Sequence, residues 1–200
     1  MAISKKKKRF FDVEIPLIRK TTQVYAMELK ELEGRDLNYD LTRMLKGKNI
    51  LASFKISVKD DTAIANPVRL KIMKTALKNF VRKGTDYIED SFTATCKDSQ
   101  VIIKPLLIAR RKISRKVRKA LRDKAREEII EYTKDKTSQQ IIEDLLKNNL
   151  QKPLSLKLKK IYPLALCEIR YFKVVKPIEI SSRKKNVKEG VVEEVKKEKE

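Results

Sequence analysis

The chain has 200 residues, with 49 Lys and Arg against 27 Asp and Glu and no His, so its formal net charge is +22. That length allows one large domain or two small ones with core enough to fold unaided, and so strong a positive field draws in polyanions, meaning nucleic acid or an anionic membrane surface. The lack of His removes Ser-His and Cys-His pairs and the HExxH zinc site, four glycines make neither a GxGxxG nor a Walker loop, and no run of about 18 apolar residues exists to span a bilayer.

The opening residues, MAISKKKKRFFDVEIP, have the basic start of a signal peptide but no apolar segment behind it. Cys96 and Cys167 form no CxxC pair, so neither zinc nor a disulfide has a motif to stand on, and Cys96 reads as a small buried hydrophobe. An intracellular protein with no metal, no cofactor and no enzymatic constellation is expected.

Residues 1–9 form a basic arm, with Lys5, Lys6, Lys7, Lys8 and Arg9, that holds too little apolar content to order itself. It reads equally as a loose tail or as charge that settles along phosphates. Phe10 and Phe11 anchor it, and Pro16 ends the opening segment. Residues 22–32 alternate well enough for a strand, although their composition also suits a helix. Gly34-Arg35 is a turn, and Leu37, Tyr39 and Leu41 alternate with polar residues in the manner of a half-buried strand. After a turn at Gly47-Lys48-Asn49, Ile50, Ala52, Phe54, Ile56 and Val58 fall on one face of the cleanest strand in the chain, with Ser53, Lys55, Ser57 and Lys59 on the other.

Asp60-Asp61-Thr62 breaks that strand. Asn66-Pro67 then predicts a helix, with Asn as N-cap, Pro at the first position, a stripe of Leu70, Met73, Leu77, Phe80 and Val81, and Gly84 at its C-terminal end. Residues 87–96 and 100–108 predict a hairpin, with Pro105 at an edge or bulge.

Residues 108–130 are the most distinctive stretch. Between Arg110 and Arg122, eight of thirteen residues are Arg or Lys, and the first acid is Asp123. Wound as a helix opened by Arg110, Arg111 and Lys112, it sets Ile113, Val117, Ala120 and Leu121 on an apolar stripe. Arg115, Arg118, Lys119, Arg122 and Arg126 fall on a cationic one. Lys124 lies in the apolar arc, where its stem can snorkel outward. A solvated helix usually mixes its signs to gain i,i+4 pairs of about 0.3–0.5 kcal/mol each. Here cations adjoin cations, so an external anion is expected to compensate them.

Thr137 or Ser138 caps a second helix with a stripe of Ile141, Ile142, Leu145, Leu146 and Leu150, stopping ahead of Pro153. Leu154, Leu156 and Leu158 alternate with Ser155, Lys157 and Lys159. Ile161-Tyr162-Pro163 is a corner, and residues 166–175 form a last strand. From Ser181 the charges are mixed and disorder is expected. The class is α+β: a single domain with a twisted, barrel-like, mainly antiparallel sheet and three to four packed helices. The body spans residues 10–180, between the basic N-terminal arm 1–9 and a disordered charged tail 181–200.

The chain resembles the archaeal and eukaryotic small-subunit ribosomal proteins of the S-three-A family (S-one-e in unified naming). The likeness rests on Phe10-Phe11-Asp12-Val13 with Pro16, Gly34-Arg35, Gly47-Lys48-Asn49, Arg110-Arg111-Lys112, Ile161-Tyr162-Pro163-Leu164 and Lys176-Pro177, in order over residues 9–180. The resemblance implies a structural protein of the small ribosomal subunit, on the platform beside the messenger RNA exit, in the cytoplasm. It also implies small-subunit rRNA and neighbouring ribosomal proteins as partners. Both ends differ from the eukaryotic pattern, whose contacts with initiation factors do not carry over.

Double-stranded RNA hides its base edges in a deep groove, so proteins grip it by phosphate, 2′-OH and shape. Arginine suits this because its planar fork pairs phosphate bidentately. The expected contacts are Arg110, Arg111, Lys112, Arg115, Arg118, Lys119, Arg122 and Arg126, with Lys5–Lys8 and Arg9 as a second set. Aromatics make up 6% of the chain, and no cluster of them on a strand is visible, so base stacking is not expected. A free nucleic-acid-binding regulator would carry the same helix. A membrane-surface protein would oppose its cations with bulky aromatics, which the stripe lacks.

Overall fold

Strand β1 (Arg9–Ile15) and strand β2 (Lys20–Ala26) form an antiparallel hairpin in the computed structural model, which describes residues 7–45, 48–59 and 62–177. The turn between them places Arg19 in the left-handed region, at φ 55°. One face of the hairpin buries Val13, Ile15 and Ala26. Leu29–Leu32 makes a 3-10 turn, and Gly34, at φ 76°, donates its N–H to the Ile56 carbonyl.

Strands β3 (Asp36–Asp40), β4 (Ile50–Lys59) and β5 (Thr62–Ile72) follow as an antiparallel meander. The alternation in β4 buries Ile50, Ala52, Phe54 and Ile56 and leaves Val58 half-buried; Ser53, expected on the outer face, is buried as well, its hydroxyl donating to Asn38 and accepting from Arg69. The helix predicted from Asn66-Pro67 is overturned. That segment is the second half of β5, and only Lys74–Phe80 forms helix α1. Pairing on both edges decides this. β4 lies along the whole of one edge of β5; the other passes from β1, which it meets in parallel at Ala63, to the last strand, β9 (Leu164–Pro177), at Arg69–Lys71. Pro67, which cannot donate to a ladder, sits opposite the irregularity at Ser53/Phe54, where a strand tolerates it. Gly84, at φ 82°, lies beyond α1 in the turn toward β6 and does not terminate the helix directly.

The expected hairpin is present, with its first arm broken at Asp90-Ser91 into β6 (Tyr87–Glu89) and β7 (Phe92–Thr95). Both pieces pair with β8 (Ser99–Ala109). β8 lies against β9 along its full length, and the ladder shifts at Lys104/Pro105, which places Pro105 at a bulge. Among the described residues the sheet has nine strands in the order β2-β1-β5-β9-β8-β6, with β3 and β4 branching from β5 and β7 from β8. It is mixed, since β1 and β5 run parallel, and it is open. The barrel-like closure is therefore corrected: the order ends at β2 and β6, which are not paired with each other. β5 and β8 each share an edge between two partners, so the strands branch where a barrel would need a continuous ring.

Helices α2 (Arg115–Lys134), α3 (Ser138–Lys147) and α4 (Gln151–Lys159) complete the body. Thr137 caps α3 in a full capping box with Gln140, and Asn148, at φ 62°, closes it. The alternating leucines that follow belong to a helix. Leu154 and Leu158, four apart, are buried in α4, whereas Leu156 is 64% exposed, and Pro153 sits in the first turn, where its missing N–H is not needed. The buried face of α2 is also rotated from the expected one. Leu121, Ala125, Ile129 and Thr133 line it at four-residue spacing, Val117 is half-buried, Ile113 precedes the helix and Ala120 is exposed. This row joins Ile141, Ile142, Leu145, Leu154 and Leu158 in one core with Phe54, Ile103, Leu107 and Phe172 of the sheet.

Burial pushes the Cys96 thiol up to about 11, with Asp98 adding to it, and the Cys167 thiol up to about 12, with Glu168 adding to it. Both are inert hydrophobes, as expected of Cys96. Lys5, Lys6, Gly47, Asp60, Asp61 and the tail from Ser181 lie outside the described residues.

The rotated face of α2 gives a direct check. Ala125→Asp buries a carboxylate without a partner and is expected to cost several kcal/mol. Ala120→Asp, on the exposed side, is expected to stay within about 0.5 kcal/mol of the parent. Thermal melts of the two variants compare them.

Candidate nucleic-acid interface

α2 begins against the grain of its own electrostatics. The N-terminus of a helix carries the positive end of the macrodipole and favours anions, by roughly 0.3–1 kcal/mol per charge. Here the first turn holds Arg115 and Lys116 and no acid, with Arg118 and Lys119 directly behind. The Ser114 hydroxyl caps it by accepting the Val117 N–H, a neutral contact. The anion comes from elsewhere. Asp86, in the turn before β6, accepts the Ile113 N–H at 2.9 Å and the Arg118 guanidinium at 2.9 Å. The Ile113 N–H, opposed by partial desolvation and aided by Arg118, holds the Asp86 carboxyl below its ordinary value. Arg118 is thus turned inward and paired, and it separates from the cationic stripe to which the sequence assigned it.

Four members of that stripe remain together. Arg115, Lys119, Arg122 and Arg126 recur at four, three and four residues, all exposed, over roughly 16 Å of helix at 1.5 Å per residue. None of the four enters an ion pair among the described residues. Arg126 holds its guanidinium 5.4 Å from the Phe92 ring centroid, a cation–π contact that orients it without neutralising it. Lys116, exposed on the flank of the stripe, belongs to the same basic run and adds to the expected contacts.

The C-terminal half of α2 behaves differently. Lys124 has its ammonium at the surface, 3.3 Å from Glu127 and 3.6 Å from Glu128, and Glu128 also accepts from Lys157 of α4. Lys136, just past the helix, meets Asp144 of α3 at 2.6 Å, and the Tyr132 hydroxyl donates to the same carboxylate at 2.8 Å. Glu128 thus fastens α2 to α4, and the Tyr132 hydroxyl fastens it to α3.

Arg110, Arg111 and Lys112 are exposed but lie in the connection from β8, not on α2. Arg110 instead lines a surface groove with Lys48, Lys152 and Lys159, between α4 and the start of β9. The alternation noted over residues 154–159 does not bring Lys152 and Lys159 together; the four-residue spacing of Leu154 and Leu158 is the signal of the helix that does. Lys48 is bound to Glu168 at 2.7 Å, so its charge is largely internal. In the arm, Lys7, Lys8 and Arg9 are exposed, and Arg9 already belongs to β1, opposite Ala26.

Among the described residues no group of His, Cys, Asp or Glu could hold a metal ion, and no helix is long and apolar enough to cross a membrane. What the surface offers is free cations on rigid elements, many of them planar guanidinium forks, the chemistry that pairs phosphate oxygens.

An α+β scaffold with a cationic face held by its own core is the class of protein this geometry defines. Residues 4–177 match the Ribosomal S3Ae family, and the chain belongs to that family: it is a ribosomal protein, a structural component and not an enzyme. Three archaeal relatives, each called small ribosomal subunit protein eS1, agree with this. That of Nanoarchaeum equitans (strain Kin4-M) is 29% identical over 175 residues, covering 84% of this chain and 88% of the relative. That of Halorubrum lacusprofundi is 24% identical over 201 residues, covering 96% and 94%. The Haloarcula marismortui protein is 28% identical over 174 residues, covering 82% and 80%.

Asp86 supplies a pH-dependent test. Its depressed value means that its contribution is present above the unfolded carboxyl value of about 3.9 and is lost as pH falls through the folded one. Asp86→Asn is expected to melt below the parent at neutral pH, and the gap is expected to close as the medium is acidified past that range. Melts recorded across a pH series check both halves.

Proposed function

We propose that the chain is a structural constituent of the small ribosomal subunit that grips rRNA through the exposed stripe of α2, Arg115, Lys119, Arg122 and Arg126. Arg110, Arg111 and Lys112 at the head of α2, and the arm with Lys5–Lys8 and Arg9, add further phosphate contacts. The position implied by the family resemblance is the subunit platform beside the messenger RNA exit, with other small-subunit proteins adjoining, in the cytoplasm. The observation that carries the reading is a row of four unneutralised cations on one face of a core-anchored helix. Such a row is repelled internally and relieved by a polyanion. The names of the archaeal relatives point to the same particle.

In this mechanism the chain contributes fixed charge. Phosphate contacts position a protein on RNA without reading its sequence. Arg118 is outside the contact set, because Asp86 engages it.

Replacing Arg115, Lys119, Arg122 and Arg126 with Gln is expected to leave the fold intact, because none touches the core beyond the Arg126–Phe92 contact, worth about 0.5–1 kcal/mol. Four lost phosphate contacts, at roughly 0.7–0.9 of a counterion each, flatten the slope of log affinity against log salt by about 3. A salt titration with duplex rRNA fragments, alongside sedimentation of the variant with small subunits, is the measurement. An unchanged slope with unchanged incorporation would remove α2 from the interface. Tight binding of selected sequences outside the particle would favour a free regulator.

A further inference from the structure

Six Phe and six Tyr are spread along the chain, too thinly for stacking to be visible in the sequence. The register of β1 and β2 brings two of them together. Phe10 stands directly opposite Tyr25, with ring centroids 4.9 Å apart and planes tilted by 44°. They lie on the face of the hairpin opposite Val13 and Ile15, and are 67% and 50% exposed. Elsewhere Phe54, Phe92 and Phe172 are at most 4% exposed, so an open phenylalanine is out of character for this chain. β2 is also an end of the strand order, so the pair sits at a sheet edge with room for a ligand.

Two cations flank the rings. The Lys8 ammonium is 5.7 Å from the Tyr25 centroid, and Arg35 Nη1 donates to the Tyr25 carbonyl at 3.1 Å, which holds its guanidinium at the rim. Arg9, registered with Ala26, falls on the other face of the hairpin, and Lys7 is exposed just ahead of the strand. The next rung on the face of the rings, Asp12 opposite Gln23, is acidic, so a polyanion approaches from the side of the arm.

We propose that Phe10 and Tyr25 form a stacking platform for an unpaired base of single-stranded RNA, with Lys8 and Arg35 on the flanking phosphates. Aromatic faces beside a cationic track are how single strands are held, and stacking is tolerant of sequence because every base has a π-face. Aromatic rings and arginine also suit a protein interface, but the lysine over the Tyr25 ring is of a type depleted there, which favours RNA. The platform is separate from the α2 stripe and takes a different form of RNA: the stripe holds a duplex by its phosphates, the platform a strand whose bases are free. It shares with the proposed function only the premise that the partner is RNA.

The test uses the full chain and two probes, an oligoadenylate of about twelve nucleotides and a blunt RNA duplex of about 16 base pairs. The double exchange Phe10→Leu with Tyr25→Leu keeps apolar bulk and removes both π-faces. It is expected to lose roughly 5- to 150-fold in oligoadenylate affinity, the worth of one stacked base, with duplex affinity unchanged. Tyr25→Phe is expected to retain the parent affinity. Should the double variant fail to fold, Phe10→Leu alone, at the most exposed position, carries the same expectation. Unchanged oligoadenylate binding overturns the inference, and so does an equal loss on both probes, which would report charge or folding in place of stacking. A double variant that binds oligoadenylate normally but fails to enter small subunits overturns it too, and assigns the platform to a protein neighbour. An unaltered salt slope in the α2 variant strikes the proposed function instead and leaves this comparison readable.

Discussion

The sheet is continuous because β9 bridges two units that would otherwise be separate. On one side β1, β2, β3 and β4 assemble around β5; on the other β6 and β7 assemble on β8. β9 pairs with β8 from Ala109↔Leu164 to Ser99↔Pro177 and with β5 at Arg69–Lys71. Phe172 lies where these ladders meet, opposite both Leu70 and Ile103, and it is fully buried. α2 leaves β8 within a few residues and packs back against β6, β7 and α4, while α4 in turn packs on β9, so the placement of its cations depends on the same ladder.

That dependence explains why α2 can present like charges side by side. An isolated helix of this composition would be weakened by cation–cation repulsion and by cations at the positive end of its dipole. Here the buried row of Leu121, Ala125 and Ile129 holds the helix against the core, and Asp86 compensates its first turn from another element. Glu128 ties its far half to Lys157 of α4, and the Tyr132 hydroxyl ties it to Asp144 of α3. Asp86 and Glu128 are thus engaged within the body, and the cations of the stripe are left on the surface where a polyanion can reach them. Rigid placement matters, because a cation already fixed in position loses less freedom on binding.

The surfaces also differ in what they suit. The α2 stripe is straight and almost free of exposed apolar groups, whereas the β1–β2 edge carries aromatic rings with only a few cations. The groove of Arg110, Lys152 and Lys159 beside α4 is intermediate, with the exposed Leu156 among its lysines. A protein that sits among folded RNA meets both paired and unpaired segments, and a basic scaffold with several unlike faces matches that setting.

The sequence by itself determined the elements whose pattern is local. β4 was legible because apolar and polar residues alternate from Ala52 to Lys59, and α3 because Thr137 and Gln140 spell its capping box. The basic run, the mixed α+β class and the buried Cys96 were legible for the same reason, and so was the family likeness, through short motifs in order. Tertiary structure alone decided the rest. Asn66-Pro67 has the local chemistry of a helix start, yet β5 is a strand because β4 on one edge, and β1 then β9 on the other, supply its hydrogen bonds, with Tyr171 to Lys173 about a hundred residues away. The inward turn of Arg118 depends on Asp86, 32 positions earlier, and the pairing of Phe10 with Tyr25 on a hairpin register. Whether the sheet closes depends on which strands share an edge. Periodicity records which side of an element is apolar; the partner that side or edge will meet is set by contacts between distant parts of the chain.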